Sequence, residues 1–132
     1  MPNFQVFPNQ RPKTEADDPV VRLYESANIG LTRAAMELLI REARAAGAFE
    51  EPGSPEVYYM EFLFDAEEQV VGLRLVGEGN PTGHRTRAAG GVYMAPAKAF
   101  FRRMELPRGK RYRLQPYGGG VCGFSLKTGE LS

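Results

Sequence analysis

The stretch Val57–Val76, VYYMEFLFDAEEQVVGLRLV, decides the fold class. Two apolar runs flank a polar DAEEQ segment, which is the pattern of an antiparallel hairpin. In the first run Tyr58, Met60, Phe62 and Phe64 share one face, and Val57, Tyr59, Glu61 and Leu63 share the other. Both faces are partly apolar, so the strand is central or covered on two sides. In the second run Val71, Leu73 and Leu75 point one way and Arg74 the other.

Working back toward the N-terminus, Thr32 is placed as a helix N-cap, with Leu31 before it and Met36 beyond it forming a hydrophobic staple. Ala35, Met36, Leu39, Ile40 and Ala43 recur at helical spacing, Glu37 and Arg41 form a favourable i,i+4 pair, and Gly47 is the stop. A cap at Ser26 or Asn28 would lengthen this helix. Val20 to Glu25 is expected as a first strand. Residues 1–19, with four prolines and little periodicity, are expected to form an extended or flexible arm, and residues 20–132 a single compact domain. In the arm, Phe4, Val6 and Phe7 are an apolar tip that can add to a sheet edge or dock on a partner.

Toward the C-terminus, Gly77 to Gly83 is turn-rich and Val92 to Met94 is a short strand. Pro96 opens a short helix bearing Ala97, Phe100, Phe101 and Met104. Lys110 to Gln115 alternates with Tyr112 and Leu114 inward and Arg111 and Arg113 outward. Pro116 to Gly120 is a link, and Val121 to Lys127 a last strand with Cys122, Phe124 and Leu126 on one face. The expected fold is therefore α+β, with two helices packed on a mostly antiparallel sheet of about five or six strands.

Composition excludes several classes of function. The 132 residues contain no stretch of 18 apolar residues, and the first residues lack the apolar segment of a signal peptide, so a cytoplasmic protein with no membrane contact is expected. One cysteine permits no internal disulfide and one histidine no His-rich metal centre, and no cofactor or metal is expected. The net charge of +1 conceals a polarised chain. Between His84 and Arg113 nine basic residues stand against Glu105 alone, a balance of +8, whereas the remainder holds eight basic and fifteen acidic residues, a balance of −7. Arg85, Arg87, Arg102, Arg103, Arg108, Lys110, Arg111 and Arg113 are therefore the candidate partner- or phosphate-contact residues. Tyr93, Tyr112 and Tyr117 lie among them, and an exposed one offers a ring for base stacking, although the alternation of Tyr112 with the arginines places it in the core. A solvated surface neutralised by Glu50, Glu51, Glu67 and Glu68 is the alternative without a ligand.

No catalytic residue is assigned. Cys122 and His84 are the one thiol–imidazole pair, with the thiol on an inward strand face. Glu61 and Asp65 have ordinary surface spacing for carboxylates. The glycines of Gly77 to Arg85 and Gly118 to Gly120 lack the lysine, hydroxyl and helix of a phosphate loop and read as turns. Ala88 to Gly91 permits close backbone contact. The reading is a small, non-enzymatic protein-binding or self-associating accessory module, regulating a larger cellular or phage machine. The alternative is a nucleic-acid-binding module using its arginines, and a hydrolase built from scattered carboxylates ranks below both.

Overall fold

In the computed structural model, which describes residues 3, 15–47 and 57–131, the chain forms ten antiparallel strands and two α-helices. The strands are β1 (Val20–Leu23), β2 (Asn28–Leu31), β3 (Val57–Asp65), β4 (Val70–Val76), β5 (His84–Ala89), β6 (Val92–Pro96), β7 (Lys110–Arg113), β8 (Gln115–Gly118), β9 (Val121–Ser125) and β10 (Glu130–Leu131). Helix α1 spans Arg33–Ala45 and α2 spans Lys98–Met104. The strand order is β10-β7-β1-β2-β6-β5-β3-β4-β9-β8, and the sheet curls into a half-barrel.

Leu114 accounts for the curl. Strand β7 pairs with β1, and after this one buried residue the chain continues as β8, which pairs with β9. Residues 110–118 thus serve both ends of the strand order. Tyr112 of β7 stacks on Phe124 of β9 with ring centroids 4.8 Å apart, closing the core between those ends.

Helix α1 fills the interior, touching β1, β2 and β6 from one side and β4, β8 and β9 from the other. Ala35, Met36, Leu38, Leu39 and Ala43 make its buried stripe. Thr32 fastens this helix to the sheet. Its Oγ1 accepts from the amides of Ala35 at 3.2 Å and Val20 at 3.0 Å and donates to the carbonyl of Asp18, using the full capacity of a hydroxyl. Helix α2 packs Phe101 into the core, and Phe100 stacks on Phe62 of β3 at 5.2 Å.

The expectation of two helices on a sheet of five or six strands is corrected by this architecture, which is mostly β. Four strands are additional: β2, β5, β8 and β10. At β2 the residues that would have lengthened α1 instead form a hairpin with β1, turned by Ala27 in the left-handed region at φ 62°. Residues 84–89, expected as loop, pair on both sides as β5. Pro116 and Tyr117, expected as a link, lie in β8. Pro96 ends β6, and Ala97 caps α2 in its place. Other readings agree. Thr32 caps α1, and the β3–β4 hairpin has its expected faces, with Met60, Val71, Leu73 and Leu75 buried. The expected i,i+4 pair differs, however: Glu37 meets Arg33, at 3.7 Å, and not Arg41. Phe4, Val6 and Phe7 lie outside the described residues.

Candidate functional site

Directly opposed residues of antiparallel strands point to the same face, so the register separates inner from outer side chains. Thr86 opposes Tyr58 and is wholly buried, which turns Arg85 and Arg87 outward, opposite Tyr59 and Val57. Across β6, Arg87 opposes Met94; Met94 opposes Gly30, Gly30 opposes Arg22, and Arg22 opposes Arg111. One row on the outer face therefore carries Arg87, Arg22 and Arg111. At about 4.8 Å per strand it runs roughly 19 Å.

Arg85 and Arg87 border a shallow groove of about 550 Å³ with Asn28, Met94 and Pro96. The tight β5–β6 turn at its end is made by Gly90 and Gly91 at φ 60° and 88°, the left-handed pair that a two-residue hairpin requires. Both arginines are exposed, and neither has a hydrogen bond or ion pair among the described residues. Two guanidiniums without a partner beside a floor containing Met94 and Pro96 can take a carboxylate or phosphate while burying apolar surface.

The other candidate cations are distributed differently. Arg102 and Arg103 project from the last turn of α2, exposed and likewise unpartnered among the described residues. Arg108 donates to the carbonyl of Glu25 at 2.8 Å and lies 5.8 Å from the Phe101 ring centroid. Lys110 pairs with Glu130 at 3.1 Å, and Arg113 stands 4.0 Å from Asp18. Arg111 also has an interaction within the fold. Tyr112 and Tyr93 belong to the interior, whereas Tyr117 is 53% exposed.

Two features of the outer face had little sequence signal. The Tyr24 ring covers Gly30 so closely that a Cβ there would clash with Tyr24 Cε2, and Arg22 stands 5.9 Å from the centroid of the same ring. A glycine inside a strand was the available hint. At the far end of the face, Leu63, Val70, Tyr117 and Val121 line an apolar groove of about 360 Å³ beside Asp65 and Glu68.

The titratable groups considered for chemistry have structural surroundings. Cys122 is fully buried, and desolvation pushes its thiol up to about 11. Strands β3 and β4 stand between it and His84, a separation of roughly 14 Å. The His84 ring stacks on Phe62 at 4.1 Å, and this partial burial lowers its pKa. Glu61 accepts from Thr82 and Arg74; the Thr82 hydrogen bond is the main reason its pKa lies below the usual value. Among the described residues no group of three His, Cys, Asp or Glu side chains is placed to hold a metal, and no helix is long and apolar enough to cross a membrane. The chain matches no known family model, and no curated protein or solved structure is significantly similar to it.

Proposed function

We propose that this chain is a small, non-enzymatic protein-association module that uses the outer face of its curled sheet. The reading is carried by Arg85 and Arg87, which stand without partners among the described residues over a groove with an apolar floor. Arginines that complete a fold find acceptors inside it, as Arg74 and Arg108 do. A pair left open beside apolar surface favours a partner bearing carboxylates, with electrostatics setting orientation and the apolar floor adding contact area.

A nucleic-acid interface is the second reading. It is favoured by the row Arg87, Arg22 and Arg111 and by the Tyr24 ring lying beside that row. The discriminating experiment is an amide-resolved NMR titration with two probes, a short Glu- and Asp-rich peptide and a mixed-sequence single-stranded DNA. Shifts confined to β5 and β6 on adding peptide, abolished by R85E/R87E, are the expected result. Peptide binding that survives this double reversal overturns the assignment. Saturable DNA binding without peptide binding, weakening steeply with salt, transfers the surface to nucleic acid.

A further inference from the structure

We infer that the acidic partner of the arginine groove is a second copy of this chain, docked through the tip of its β3–β4 hairpin; this rests on the protein-association reading above. The hairpin tip carries Asp65, Glu67 and Glu68. Asp65 Oδ1 is spent within the turn, accepting from the amides of Glu67 and Glu68 at 3.0 Å each. This shape holds the Glu67 and Glu68 side chains at the tip, exposed and unpaired among the described residues. They are counter-charges of the kind that Arg85 and Arg87 lack among the described residues.

The two groups cannot meet within one chain. Arg85 and Arg87 oppose Tyr59 and Val57, near the start of β3, and the acidic tip follows Asp65 at its end. Six to eight residues of extended strand separate them by roughly 20–26 Å, beyond the screening length of about 8 Å at physiological salt. A second copy laid antiparallel on the same face brings each tip over the other's arginine groove, twice in one closed two-fold contact. The lateral offset of one to two strands, about 5–10 Å, is within reach of paired Glu and Arg side chains.

The remainder of the face suits this arrangement. Near the midpoint of β3 lies Glu61, already satisfied by Arg74 and Thr82, so the two-fold axis sets neutralised groups against each other instead of like charges. The curl of the sheet limits contact to a stripe of about 25 by 16 Å, roughly 800 Å² over both copies, below the standard interface and fitting a weak, reversible dimer.

The test is mass measurement by light scattering and by analytical ultracentrifugation of the full chain, from about one to several hundred micromolar at low and high salt. A concentration-dependent dimer is expected, weakened about tenfold or more by R85E/R87E and by E67R/E68R, each alone. Mixing the two variants regenerates complementary charges at both contacts and restores dimerisation, which a merely damaged fold would not do. A strictly monomeric protein, or a dimer indifferent to both reversals, overturns the inference. Should the monomer still bind the acidic peptide through Arg85 and Arg87, the association reading stands and only the identity of the partner falls; loss of both removes the reading itself.

Discussion

Met60 and Glu61 are neighbours in β3, yet they belong to two different surfaces. On the inner side, Met60, Val71, Leu73, Cys122 and Phe124 are essentially inaccessible and pack against α1 and one another. On the outer side, the alternate residues are Tyr59, Glu61, Leu63, Arg74 and the arginines of β5, all partly or wholly exposed. The inner face leaves no buried side-chain polar atom without a partner among the described residues, and the outer face leaves charged groups open. Stability thus rests on the inner side of the sheet, and the recognition proposed above would use the outer side.

The largest effect that would sharpen this division is expected from the inner side. Leu73 is fully buried between Phe62 and Cys122, its register partners on the two adjacent strands. Leu73→Ala removes that side chain from a core held between α1 and the sheet, and a loss of about 3–4 kcal/mol is expected in urea unfolding. A loss below about 1 kcal/mol would show that the interior is loosely packed and break the comparison.

An intermediate effect is expected at Glu61, an outer residue recruited to the fold. Glu61→Gln keeps a hydrogen-bond acceptor for Thr82 and Arg74 but removes the charge, and a cost of about 1 kcal/mol at neutral pH is expected for a partly exposed pair. The sign with pH follows from its lowered pKa. The unfolded chain takes up the proton first as pH falls below 4.5, so the stabilisation is full above that value and is lost as pH drops through the folded-state pKa. Denaturation curves of the two proteins should therefore converge in acid. A gap that persists unchanged at low pH would mean that the glutamine fails for steric reasons.

The inner face was largely legible in the sequence, because alternation in β3, β4, β7 and β9 and the 3.6-residue period of α1 record burial directly. The missing strands carry no such record. The sequence of β5, HRTRAA, has Thr86 as its one buried side chain, β8 contains Pro116 and Gly118, and β10 has two residues. These segments become strands because established neighbours offer them hydrogen bonds, a non-local cause that local propensity does not register. The arginine cluster was legible as a count of charges and no further. Arg108 finds its acceptor at Glu25, 83 residues away, and Lys110 finds Glu130. Which cations are consumed and which are left open is therefore decided by the tertiary fold.

That sorting sets the smallest predicted effect on stability. Arg85 and Arg87 lie two residues apart on one face of β5, so their charges sit about 7 Å from each other with no acceptor between them. Their mutual repulsion in water is of order 0.5 kcal/mol before screening, and no hydrogen bond or ion pair among the described residues offsets it. Replacing both with alanine should leave unfolding free energy within about 0.5 kcal/mol of the parent, with any change on the stabilising side. The same variant should lose affinity for the acidic peptide. Destabilisation by more than about 1 kcal/mol would mean that these side chains support the sheet, and the outer face would then contribute to the fold at the place where recognition was assigned. Unchanged stability with lost binding is the outcome that separates the two surfaces, because groups built into a fold cannot be removed from it without cost.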